Sequence, residues 1–186
     1  MIKGISSIEK KLEALQSQKD TVDELARNVI RLAGKCIVLM HAKQIKKAEV
    51  VLRELESKAR ELDEKDKGME YYSLQAKQEY VEALALYTFI KEKRLITYKE
   101  TKMGEVAYLL GILDLVGELK RSAMDAIAKG DVGFAEKCYE TMLDIYDSTL
   151  PLKFANSIVQ DLRKKQDVAR IQIEGLAGEL VSRKGQ

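Results

Sequence analysis

The stretch QEYVEALALYTFI, from Gln78 to Ile90, decides the fold class. Its apolar residues surround nearly the whole circumference of a helix, a pattern typical of a helix buried among other helices. Two carboxylates, Glu79 and Glu82, nevertheless stand three residues apart within it. Residues with this spacing share one helix face, and their neighbours offer no broad polar surface. We therefore expect two partly buried acids on a core helix.

The composition extends the helical interpretation to the whole chain. Its 186 residues include one proline and no tryptophan, and 46% are hydrophobic. These values predict an all-α, single-domain helical bundle of about six to seven helices over residues 1–186. Apolar periodicity places helices near residues 8–41, 47–62, 71–93, 104–129, 132–147 and 152–182. Pro151 is expected at the start of the last helix, and Gly130 and Asp131 as a helix stop and an N-cap.

A second acidic pair lies in the fourth predicted helix, within YLLGILDLVGEL. Asp114 and Glu118 are one turn apart and share a stripe with two small residues, Ala107 and Gly111. Small side chains leave space beside the acids. The sequence thus contains two acidic pairs on two otherwise apolar helices.

Partly buried carboxylates need a compensating partner, because burial and mutual repulsion both disfavour their charged forms. Either pair alone would be interpreted as one end of a salt-bridge network with a lysine or arginine of a neighbouring helix. Both pairs together favour a hard divalent cation, and oxygen ligands without histidine suit magnesium better than zinc.

Several reaction classes are excluded by what the sequence lacks. A single histidine, His41, excludes a ribonuclease with two histidines as acid and base. No phosphate-binding glycine loop or nucleophile elbow occurs. Cys36 and Cys138 are far apart and are expected to be reduced apolar core residues. The N-terminus lacks the apolar segment of a signal peptide, and the longest apolar run is too short to span a membrane, so a cytoplasmic protein is expected.

Basic residues could contact a polyanion. Arg27, Arg31 and Lys35 form a stripe at four-residue intervals on the first helix, and Arg121 follows the second acidic pair. Such a stripe is usually a solvated face, but it can also follow a phosphate backbone. The formal net charge of +2 does not decide between these interpretations.

Three segments are distinctive: QEYVEALALYTFIKEKRLIT, YLLGILDLVGELKRSAMDAIAKGD and LAGELVSRKG. They resemble the translin family, and within it the Trax (translin-associated factor X) branch, and the likeness extends from about residue 20 to 185. The resemblance implies a bundle whose subunits assemble into a hollow octamer that holds RNA or DNA inside. It also implies that Trax-type subunits are magnesium-dependent endoribonucleases, whereas translin itself mainly binds nucleic acid. The acids of the Trax motifs correspond to Glu79, Glu82, Asp114 and Glu118, one by one.

Our leading prediction is a Mg²⁺-dependent endoribonuclease, with Mn²⁺ as a substitute metal, acting in a homo-oligomeric octamer. It would cleave single-stranded RNA or strands of short duplex RNA, with single-stranded DNA as a further ligand. Glu79, Glu82, Asp114 and Glu118 would bind the metal, and Arg27, Arg31, Lys35 and Arg121 would hold the nucleic-acid backbone. One alternative is a non-catalytic RNA- or DNA-binding shell. Another is an all-α nucleotide pyrophosphohydrolase, which is disfavoured because the second acidic pair is spaced by four residues and not three.

Overall fold

A computed structural model describes residues 4–184, so the ends of the predicted domain 1–186 lie outside the described residues. Within that range the secondary structure is seven helices and no strand. They are α1 (Ile5–His41), α2 (Ile45–Lys65), α3 (Glu70–Glu92), α4 (Tyr98–Thr101), α5 (Glu105–Ala128), α6 (Val132–Thr149) and α7 (Leu162–Lys184). The predicted all-α bundle is confirmed.

The two helices with the most continuous apolar sequence, α3 and α5, occupy the centre of the bundle. Helix α3 packs on α1, α2 and α5, while α5 packs on α3, α6 and α7. Neighbours on several sides explain why neither sequence has a wide polar face. The contact between these two helices also positions the acidic residues.

Helix α1 is only partly covered by the rest of the described chain. From Val22 onward most of its apolar residues are buried at three- and four-residue spacing, whereas Val38 is 61% exposed. Its first third presents four exposed apolar side chains: Ile5, Ile8, Leu12 and Leu15. The amphipathic pattern therefore continues beyond the part of α1 that packs in the bundle.

The last predicted helix starts too early. Helix α7 begins at Leu162, and residues 150–161 are not helical, so about the first three turns of the predicted helix are missing. Pro151 follows the C-cap residue Leu150 and so ends α6, which is the other common position for proline near a helix. The side chain of Asn156 accepts a hydrogen bond from the amide of Asp161, whose φ of 58° is not helical.

The predicted and observed helices differ in two smaller respects and agree in one further detail. The apolar residues of α2 predict an inward position for both Val50 and Val51, but Val50 is 68% exposed and only Val51 is buried. The short helix α4 lies in a segment predicted as a connection. Gly130, with φ 81°, and Asp131, whose carboxylate accepts the amide N–H of Phe134, form the predicted stop and N-cap.

A buried ionic cluster stabilises the turn between α2 and α3. Asp66 has no exposed surface, and it accepts hydrogen bonds from the Ser73 hydroxyl and, at 2.7 Å, from the Lys77 ammonium. Lys77 also contacts Asp63 at 2.6 Å. Since a buried charge is costly without a partner, Lys77 is what makes the burial of Asp66 possible.

Both cysteines are free and buried, as predicted. Burial raises the pKa of Cys36 to about 11 and that of Cys138 to about 12, so both thiols are protonated near neutral pH. None of the helices in residues 4–184 has an apolar segment of the length that a bilayer crossing requires.

Candidate functional site

Helices α3 and α5 come unusually close beside the acids, at Gly111. A Cβ atom at this position would lie 2.7 Å from the Cβ of Val81 and 2.8 Å from the carbonyl oxygen of Gln78. Only glycine allows this approach, because the backbone oxygen cannot rotate away. The contact brings Glu82, next to Val81, towards Asp114, one turn after Gly111.

Three of the four predicted acids line one cleft of about 750 Å³: Glu79, Glu82 and Asp114. Other polar and aromatic residues share its wall, namely Tyr71, Tyr72, Gln75, Gln78, Gln160, Asp161 and Lys165. All three acids are partly buried, which confirms the expected burial of Glu79 and Glu82. The cleft therefore joins α3, α5 and the start of α7.

Burial and neighbouring carboxylates both disfavour the charged forms of Glu79 and Glu82. Burial raises the pKa of Glu82 to about 8, and the nearby carboxylates of Asp114, Glu79 and Glu118 contribute to the increase. Burial and the Asp114 charge also raise the pKa of Glu79. These groups would be stabilised by a positive charge among them.

Lys165 on α7 supplies one such charge. Its ammonium nitrogen lies 2.5 Å from both carboxylate oxygens of Asp114. The same charge opposes the pKa increases of Glu79 and Glu82. A lysine of a neighbouring helix is thus the direct partner of one acid, as in the salt-bridge interpretation of the sequence.

Glu118, one turn after Asp114 on α5, has its partners outside the cleft wall. Its carboxylate is hydrogen-bonded to Nε2 of His41, the last residue of α1, and Arg121 lies 4.0 Å away. The Glu118 charge raises the pKa values of Glu79 and Glu82. The cleft itself is lined by the other three predicted acids. His41 is therefore connected to the acidic group.

The donor atoms fit a hard cation in their chemistry, but the present side-chain arrangement is not a metal cage. Among residues 4–184, no group of three or more Asp, Glu, His or Cys side chains is close enough to hold a metal ion. Two of the four acids already have a basic partner, Asp114 in Lys165 and Glu118 in His41. The four carboxylates repel one another and supply the oxygen ligands that Mg²⁺ prefers, and a cation can displace their two basic partners. The residues therefore fit Mg²⁺ in their chemistry.

The predicted basic stripe is exposed on α1. Arg27, Arg31 and Lys35 all lie on its solvent side, and Arg31 donates a hydrogen bond to Asn28. In the described part of the chain, the cleft wall includes none of the three. Arg121 is 60% exposed beside Glu118. Contact of these residues with nucleic acid stays a prediction.

Sequence reasoning missed Lys165 and the tyrosines. A signal for Lys165 exists: it lies three residues after Leu162 and four before Ala169, both buried, so it shares the inward stripe of α7. A lysine on such a stripe indicates a charged partner inside.

Comparisons with known proteins agree with this architecture. The profile of the translin family matches residues 6–175. The chain belongs to the translin family. An uncharacterized protein of Methanocaldococcus jannaschii is 29% identical over 174 residues, which cover 89% of this chain and 78% of that protein.

The translin relatives include translin-associated protein X of Mus musculus, at 25% identity, so the predicted Trax-like branch is supported. That match covers 77% of this chain and 65% of the mouse protein. Among solved structures, apo-NeC3PO has a TM-score of 0.88 and 27% identity, covering 97% of both chains. AfC3PO in complex with duplex RNA also has a TM-score of 0.88, with 30% identity over 97% of this chain and 96% of that one.

Proposed function

We propose that this translin-family protein binds single-stranded RNA or strands of short duplex RNA inside an oligomeric shell and cleaves them as a Mg²⁺-dependent endoribonuclease. The observation that carries the proposal is the cleft in which Glu79, Glu82 and Asp114 meet, where burial and neighbouring carboxylates raise the pKa of Glu79 and of Glu82. The similar AfC3PO structure, which contains duplex RNA, supports RNA as the ligand class.

Glu79, Glu82, Asp114 and Glu118 would hold the metal. Mg²⁺, or Mn²⁺ in its place, lowers the pKa of a bound water and stabilises charge on a phosphoryl oxygen. Glu82 retains its proton up to a pH of about 8 in the metal-free protein, so cation binding is linked to proton release from its carboxyl group. Lys165 and a cation compete for the carboxylate of Asp114, and Lys165 becomes free to contact phosphate when it is displaced.

The RNA backbone would be held outside the cleft by the exposed basic side chains of Arg27, Arg31, Lys35 and Arg121. Since water and not the ribose 2′-hydroxyl is the nucleophile, the products carry 5′-phosphate and 3′-hydroxyl ends. The exposed apolar stripe of Ile5, Ile8, Leu12 and Leu15 on α1 supports self-association into the shell, because such a surface is usually covered by a partner. Light scattering of the purified protein measures whether an octamer forms.

The decisive experiment is cleavage of a labelled single-stranded RNA with Mg²⁺, with EDTA, and by the Glu79→Gln/Glu82→Gln double variant. We expect EDTA to abolish cleavage. The double variant should lose on the order of 100-fold or more in cleavage rate, because mutation of a residue that only supports a metal ligand already costs up to about 100-fold in activity. Glu140→Gln is the matched control, since Glu140 is an exposed carboxylate on α6, paired with Lys137. Full activity of the double variant, or a 2′,3′-cyclic phosphate as the primary product, would contradict the proposal.

A non-catalytic nucleic-acid-binding shell is the second candidate. It is favoured by the partners that Asp114 and Glu118 already have in Lys165 and His41, which make a metal unnecessary for charge balance. This candidate requires tight, salt-dependent binding of RNA or single-stranded DNA that is insensitive to Mg²⁺ and to Glu82→Gln.

A further inference from the structure

Two adjacent tyrosines remain outside the core at the start of α3. Tyr71 is 75% exposed and Tyr72 is 49% exposed, with ring centroids 5.7 Å apart and ring planes at 84°. Later in α3, Tyr80 and Phe89 are buried. Two large exposed aromatic side chains on a central helix of the bundle thus need an explanation other than core packing.

The tyrosines belong to the same cleft as the acids. Tyr72, Gln75, Glu79 and Glu82 follow at intervals of three, four and three residues, so they form one stripe along α3, and all four line the cleft. Seven residues separate Tyr72 from Glu79, which corresponds to about 10 Å along a helix axis. That is on the order of three steps of a stacked nucleic-acid strand at ~3.4 Å per nucleotide.

The aromatic pair lies in a fixed surrounding beside Lys19, whose ammonium is paired with Asp23 at 2.6 Å. The Lys19 ammonium lies 4.8 Å from the centroid of the Tyr72 ring. The side chain of the preceding residue, Gln18, donates hydrogen bonds of 3.1 Å to the carbonyl oxygens of Lys65 and Lys67. These bonds hold α1 against the turn that leads into α3, so the rings are displayed from a well-anchored part of the bundle.

We propose that Tyr71 and Tyr72 form a stacking site for a nucleobase of a single strand whose backbone passes the acidic cleft. The inference rests on the proposed function and adds a recognition element to it. Aromatic rings bind unpaired bases of any sequence through stacking, whereas paired bases inside a duplex have no free face. The site therefore favours single strands and frayed ends, and it holds a base about three nucleotides or fewer from the phosphodiester at the acids.

Binding without cleavage tests the proposal. Fluorescence anisotropy in EDTA compares a labelled single-stranded RNA with an abasic oligonucleotide of the same length and charge. We expect Tyr71→Ala/Tyr72→Ala to weaken RNA binding by about 5- to 150-fold for one stacked base. Tyr71→Phe/Tyr72→Phe keeps the rings and should bind like the parent. Tyr98→Ala, at a partly exposed tyrosine outside the cleft, serves as the control.

The abasic ligand separates stacking from phosphate binding. It should bind more weakly than RNA to the parent and equally to the parent and the alanine double variant. Equal affinity of the parent and the alanine variant for RNA would overturn the stacking site. The proposed nuclease activity is tested separately, by RNA cleavage with the Glu79→Gln/Glu82→Gln variant. A parent that binds no RNA would overturn both. Loss of binding together with a smaller mass in light scattering would instead assign the rings to a subunit contact and overturn the proposal.

Discussion

Replacement of Gly111 by alanine should destabilise the protein, although alanine is the better helix former. In a helix interior the change from glycine to alanine contributes roughly 0.5–1 kcal/mol of stability. At Gly111 the added Cβ meets Val81 at 2.7 Å and the Gln78 carbonyl oxygen at 2.8 Å, well inside the 3.4 Å of ordinary contact. Overpacking of this kind costs about 1–3 kcal/mol. The clash with a backbone atom can be relieved only by moving α3 and α5 apart.

Gly117 on the same helix provides the matched control, because a Cβ there meets nothing within 4 Å. Gly117→Ala should therefore gain stability, and Gly111→Ala should be less stable than Gly117→Ala by about 1–3 kcal/mol. Thermal denaturation resolves this difference, since 1 kcal/mol corresponds to about 2–4 °C in a domain of this size. If Gly111→Ala melts at or above the temperature of Gly117→Ala, the close approach of the two helices is not as described.

Three further changes test the charges of the structure. Lys77→Met leaves the fully buried carboxylate of Asp66 without its ammonium partner and should cost about 3–5 kcal/mol in chemical denaturation. Glu82→Gln should stabilise the protein at pH 8 but not near pH 4.5. The folded parent keeps the Glu82 proton up to a pH of about 8 and the unfolded chain loses it near 4.5, so parental stability falls as pH rises between these values. Lys165→Met removes the competitor for Asp114 and should tighten Mg²⁺ binding in calorimetry.

Two of these variants, Lys77→Met and Lys165→Met, have a control substitution nearby that should have almost no effect. Lys67→Met removes only an exposed contact of 3.8 Å with Asp63, so it should cost less than about 1 kcal/mol. Lys164→Met changes the exposed neighbour of Lys165 and should leave Mg²⁺ affinity unchanged. For Glu82, a Gln variant with the same pH profile as the parent would refute the assignment of the raised pKa to this group.

The helices were predictable because apolar spacing reports directly on burial. The sequences of the central helices α3 and α5 are apolar on nearly all sides, and other helices pack around both of them in the bundle. The predicted start of the last helix was wrong because proline is common at two places, in the first turn of a helix and just after a helix ends. Pro151 is compatible with both. The observed bounds of α6 and α7 show that Pro151 follows a helix, and the hydrogen bond between Asn156 and Asp161 lies in the segment between the two helices.

The acidic residues were predictable as pairs, since helical spacing puts Glu79 with Glu82 and Asp114 with Glu118 on common faces. Their partners were not, because Lys165 lies 51 residues from Asp114 and His41 lies 77 residues from Glu118. Such pairs depend on how the helices pack, and spacing along the sequence contains no information on packing partners. Their metal-binding and catalytic roles stay predictions that cleavage assays can test.

Because Lys165 belongs to the last helix, the charge balance of the cleft is completed late in the synthesis of the chain. Chains are made from the N-terminus, so α3 and α5 leave the ribosome before α7 exists. Until α7 docks, Glu79, Glu82 and Asp114 repel one another without the lysine that neutralises Asp114 in the finished bundle. A nascent or truncated chain that ends at α6 therefore carries an uncompensated cluster of acids, and the arrival of the last helix completes the charge balance of the cleft.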